Sequence, residues 1–95
     1  MEAQPKDRRL LRRAGLACYH AGRYAEALDY WRTLIAGLDS GSEDWLEAKY
    51  YQLACLEKTD RANAAKVLQQ FQVLFPEVKS STWRPKFSEL ETRLQ

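Results

Sequence analysis

The chain has 95 residues, 45% of them hydrophobic and 29% charged, and a formal net charge of +2. These values exclude bulk disorder, and so small a net charge does not by itself imply a polyanionic partner. The length fits one domain whose core is adequate rather than generous.

Sustained alternation of β-branched residues is missing and Val and Ile are scarce, so strands are not expected and five helices are. The first is read from about Pro5 to Ala21. Proline suits a first helical position, where its missing N–H would have no partner. Leu11, Ala14, Gly15 and Cys18 form the apolar stripe, and Gly22 ends the helix by permitting a positive φ. The second helix runs from about Tyr24 to Leu38, with Ala27, Leu28, Trp31, Leu34 and Ile35 recurring at three and four. The loop Asp39-Ser40-Gly41 follows.

The third helix begins near Ser42, an N-cap residue, with Glu43 and Asp44 placed to favour the helix dipole, and continues to about Lys58. The fourth starts after Thr59-Asp60 and stops at Pro76, with the stripe Ala64, Val67, Leu68, Phe71, Leu74 and Phe75. Ser80, Ser81 and Thr82 are cap candidates for a fifth helix, which tolerates Pro85 in its first turn. Trp83, Phe87, Leu90 and Leu94 share its apolar face, as a helix closing the end of a stack requires.

The chain repeats itself. Cys18 and Cys55 are 37 residues apart, as are Gly22 and Thr59 at the two turns, and Ala27 and Ala64. A shared offset across helix, turn and helix marks a helical repeat. The first unit carries Leu11, Ala14-Gly15, Cys18, Ala27 and Trp31; the second carries Ala48, Tyr51-Gln52, Cys55, Ala64, Leu68 and Pro76. With these residues the chain resembles the tetratricopeptide repeat family. The resemblance covers about Arg8 to Val78. It departs in the spacing, which exceeds the family's period of about 34. It departs also in Asp39, which stands where the first unit would close with proline, and in a second unit without either glycine.

The resemblance implies an all-α, right-handed superhelical array of antiparallel helix-turn-helix repeats. Repeat one would span about 8–41, repeat two about 45–78 and a capping helix about 82–94. Gly15 and Ala27 would let the first two helices approach closely. The family usually binds through a concave face lined by the first helix of each pair. Here that face maps to Arg9, Arg12, Leu16, Tyr19 and His20, then to Lys49, Tyr50, Leu53, Leu56 and Glu57. The family's carboxylate clamp uses asparagines, but Leu16 and Leu53 stand in those places and the one asparagine, Asn63, is on another helix. The mixture of Arg, Tyr and Leu suits an acidic-hydrophobic peptide or helix of a partner protein instead.

No nucleophile–base–orienter set or phosphate loop is visible, so an enzyme is not expected. Neither a cofactor nor a metal is expected, because His20 has no ligand neighbour at i±4 and the two cysteines read as reduced core thiols. The arginines Arg8, Arg9, Arg12 and Arg13 crowd one helix, yet without a second basic patch nucleic acid ranks low. Met1 to Arg13 lacks the apolar core of a signal peptide, and no apolar run approaches a membrane span. A cytoplasmic protein is expected, or a domain of a larger one. Its expected function is non-catalytic protein–protein interaction; a homodimer that continues the stack is the second reading.

Overall fold

The structure is a computed structural model and describes residues 7–94. Five α-helices follow one another: α1 (Arg8–His20), α2 (Tyr24–Gly37), α3 (Glu43–Thr59), α4 (Arg61–Leu74) and α5 (Arg84–Leu94). No strand occurs among the described residues. The all-α reading holds, with each helix within three residues of its expected start.

Side-chain caps set most of those starts. The Asp7 carboxylate accepts from the Arg9 N–H at 3.0 Å and begins α1, while Pro5 lies outside the described residues. Ser42 accepts from Trp45 N–H, Asp60 from Asn63 N–H and Ser80 from Trp83 N–H, each at 3.2 Å. Each cap satisfies a donor that the first helical turn leaves without an intrahelical partner. At its far end α4 stops at Leu74, two residues before Pro76. Phe75 leaves the helix at φ −130°, because the residue before proline is driven out of the α region. Val73 and Leu74 in the last turn are exposed, at 80% and 73%, so Leu74 does not belong to the buried stripe expected of it.

Two turns fold consecutive helices back on each other. In the first, Gly22 takes φ +80°. Its N–H donates to Tyr19 O at 3.1 Å and that of Arg23 to Cys18 O at 2.8 Å, the paired bonds of a Schellman motif. In the second, Asp60 alone separates α3 from α4. It is the C-cap of one and the N-cap of the other. The loop between α2 and α3 turns at Gly41, φ +85°, where a Cβ would lie 3.0 Å from the Phe75 ring.

The helices pack in chain order, α1 on α2, α2 on α3 and α3 on α4, and α5 lies against both α3 and α4. The body measures 44 × 26 × 19 Å. Its core is two clusters. One joins Leu28, Trp31 and Leu34 of α2 to Ala48, Cys55 and Leu56 of α3. The other joins Trp45 and Leu53 of α3, Leu68 and Phe71 of α4, and Phe87 and Leu90 of α5. Burying each of the large side chains contributes roughly 1.5–3 kcal/mol.

Gly15 is buried, and its close neighbour is Trp31: a Cβ there would meet the indole at 2.8 Å. The nearest atoms to such a Cβ are therefore those of the tryptophan of α2, and Ala27, one turn earlier on the same helix, is fully buried. Trp31 then stacks on Tyr51 of α3, at 4.9 Å between ring centroids and 15° between planes. Phe71 of α4 does the same on Phe87 of α5, at 4.7 Å and 17°.

The 37-residue spacing also reaches α5, because Leu16, Leu53 and Leu90 fall on it, the latter two fully buried. By position α5 is thus the first helix of a third unit. Positions that face inward as Leu11, Gly15 and Cys18 on α1 recur as Ala48, Gln52 and Cys55 on α3. On α5 they become Pro85, Glu89 and Thr92, all exposed. Three polar or helix-limiting residues turn that helix into a polar end.

Candidate functional site: the face of helices one, three and five

The first helices of the successive units, α1, α3 and α5, are joined by side chains into one face. Tyr19 of α1 meets Tyr51 of α3 edge-on at 5.1 Å, and Tyr24 and His20 complete the group around Tyr19 at 5.6 and 5.5 Å. Tyr50 of α3 meets Trp83 at 5.7 Å and Phe87 of α5 at 5.9 Å. Rings in edge-to-face contact add to the area they bury, by about 0.5–1.5 kcal/mol a pair. The tyrosines are half-buried, so each has an apolar body held by the core and an edge at the surface. Burial pushes the Tyr19 and Tyr51 hydroxyls above the usual phenol range.

Ion pairs close the two margins of this face. Arg12 of α1 grips Glu47 of α3 with both prongs, Nε to Oε1 at 2.6 Å and Nη2 to Oε2 at 2.9 Å. Arg93 of α5 grips Glu57 of α3 likewise, at 3.0 Å from Nε to Oε2. Bidentate geometry of this kind is the strong form of the guanidinium–carboxylate contact. Hydrogen bonding to the carboxylate raises the pKa of both arginines. Lys49 lies between the margins with its ammonium 5.7 Å from the Trp45 ring centroid, and burial lowers its pKa.

The ten residues expected on a concave face divide under this geometry. Arg9 and His20 are exposed; Leu16, Tyr19, Lys49 and Tyr50 are half-buried and reachable. Arg12 is reachable too, but its charge is committed to Glu47. Glu57 is similarly committed, with its side chain only 10% exposed. Leu53 and Leu56 do not reach the surface, at 0% and 2% exposure. The physical reason for Leu53 is α5: its Phe87 and Leu90 share a cluster with that leucine. Leu56 packs into the first cluster beside α2. Both leucines are core residues and leave the candidate site.

Sequence reasoning passed over Tyr51, Glu47, Trp83 and Arg93, which carry contacts across the face. In the sequence Tyr51 figures only as one residue of the second repeat unit. The two acid–arginine pairs span 35 and 36 residues, so no local spacing announces them. The extension of the 37-residue register to Leu90 was the one available signal that α5 lines the same face as α1 and α3.

Among the described residues no group of three His, Cys, Asp or Glu side chains is placed to hold a metal ion. No helix of the described residues is long and apolar enough to cross a membrane. Comparison with protein-family models, with curated proteins and with solved structures gave no match.

Proposed function

We propose that the chain is a tetratricopeptide-like interaction module without catalytic activity, which holds a peptide or helix of a partner protein along the face of α1, α3 and α5. The observation that carries this reading is the continuous row of rings from the half-buried Tyr19, Tyr51 and Tyr50 to the buried Trp83. Tyrosine and tryptophan lose few rotamers on binding and offer a flat apolar surface with a polar edge, which is why they concentrate at interfaces. The flanking Arg12–Glu47 and Arg93–Glu57 pairs supply polar margins whose charges are already balanced. Recognition therefore rests on the rings and on Lys49 more than on the arginine cluster, and the partner segment is apolar with a few acidic residues.

A photo-crosslinking amino acid at Tyr50 or Tyr19 should capture a partner in cells, whereas the same group at the exposed Arg32 of α2 should not. Capture that survives Tyr50→Ala, or that is equal from Arg32, would remove this face from the mechanism. A second reading, self-association, draws on the adjoining exposed Val73 and Leu74 at the end of α4. Light scattering on the chain and on Val73→Lys/Leu74→Lys separates the two: a dimer lost in the variant favours self-association.

A further inference from the structure

Each first helix has a face turned towards the second helix that precedes it. On α5 this face carries Phe87, stacked on Phe71 of α4, and Glu91, hydrogen-bonded to Gln72 of α4. On α3 it carries Tyr51, stacked on Trp31 of α2. The 37-residue register carries Phe87, Tyr51 and Glu91 back to Arg13, Ala14 and Ala17 on α1, and Leu10 lies one turn before Ala14 on the same side. Ala14 is half-buried, and the other three stand open. Leu10 is 58% exposed, Arg13 and Ala17 are exposed, and a cleft of ≈ 520 Å³ lined by Asp7, Arg9, Leu10, Arg12 and Arg13 opens beside them.

We infer that this outer face of α1 seats an acidic amphipathic helix of a partner protein, in the place that α2 holds on α3 and α4 holds on α5. Leu10, Ala14 and Ala17 recur at four and three, so they lie on one side of the helix. The two alanines permit a close backbone approach there. The charge decides the occupant. Arg9 and Arg13 flank the apolar line and make no ion pair among the described residues, in contrast to Arg12. A second copy docked face to face would set these arginines against themselves, whereas a helix with Asp or Glu beside its apolar residues would neutralise them. The matching face of α5 offers no such seat, because Glu89 and Thr92 are polar and all three of its positions, Pro85 included, are exposed.

The test uses the full chain and a displayed library of single amphipathic helices with randomised charged positions. Acidic helices should be enriched on the parent chain. Their affinity should fall at least tenfold in Arg9→Glu/Arg13→Glu and, independently, in Leu10→Lys. Amide shifts on binding should centre on residues 10–17, with Tyr50 undisturbed, which separates this surface from the face of α1, α3 and α5. All three substituted side chains are exposed, so helicity should match the parent. Enrichment of neutral or basic helices, binding indifferent to these variants, or shifts centred on Tyr50 would overturn the inference. So would a dimer of the parent chain that Leu10→Lys dissociates, since a second copy would then be the occupant.

Discussion

The two helix pairs solve one packing problem with different residues. In the first pair a glycine faces the largest side chain available, Gly15 against Trp31. In the second pair the same two positions hold Gln52 and Leu68, both of middling size. Each pair leaves one polar atom buried without a partner, Trp31 Nε1 in the first and Gln52 Oε1 in the second. Completion also differs: Trp31 reaches onto α3, while in the second pair Phe71, one turn further along α4, reaches onto α5. The repeat conserves the filled volume of each seam and lets the residues vary. Cores tolerate hydrophobic substitution in this way when total volume is kept.

Removing α5 is the largest way to break the comparison. The first pair keeps α3 as its neighbour, but the second loses the helix whose Phe87 stacks on Phe71, and that ring keeps only its contacts with Trp45 of α3 and Phe75 among the aromatic side chains described. A chain ending at Ser80 should aggregate or lose a sharp thermal transition; a monomer melting at the parent temperature would show that α5 seals nothing.

The volume exchange itself can be transplanted. Gly15→Gln should cost about 3 kcal/mol by overpacking against the indole. Trp31→Leu should cost about 2–4 kcal/mol through the cavity and the lost stack on Tyr51. If the seam conserves volume, the double variant should be less destabilised than the sum by about 1–3 kcal/mol. Additive losses in denaturant titrations would mean that the two pairs are not alternative fillings of one seam.

The turns give a smaller contrast. Gly22→Ala forces a side chain into the left-handed region and should cost about 1–2 kcal/mol. Asp60→Ala removes one cap bond and should cost about 1 kcal/mol. Equal insensitivity of both in thermal melts would argue against the observed turn geometry.

The smallest effect is chemical. Cys55 is fully buried and its thiol is pushed up to about 12 by burial, whereas Cys18 is half-exposed. Alkylation near pH 8 should therefore modify Cys18 first, and Cys55 only on the timescale of unfolding. Equal rates by mass spectrometry would place the two thiols in similar surroundings.

Much of this architecture is readable from residues alone, because helices announce themselves locally. Ser42, Asp60 and Ser80 are capping residues by chemistry, and the stripes from Tyr24 to Leu38 and from Ala64 to Phe71 follow the helical period. The small residue at Gly15 pointed to a close seam, although not to Trp31 as its occupant. The candidate face was less legible. Whether Leu53 looks outward depends on where a helix beginning 31 residues later comes to rest. Likewise, whether Arg12 is available depends on Glu47, and only three-dimensional packing brings these together.

The seat of Phe75 on Gly41 has one more consequence. It ties the loop between the first two pairs to the end of α4, 34 residues away along the chain. A twist of one pair against the other would have to lift that ring from the bare backbone first. The ring thus works as a strut, and the face of α1, α3 and α5 is held near one curvature before anything is bound. A ligand arriving there would spend little of its interaction energy on ordering the protein, so its affinity would report the quality of the contacts rather than the cost of shaping the surface.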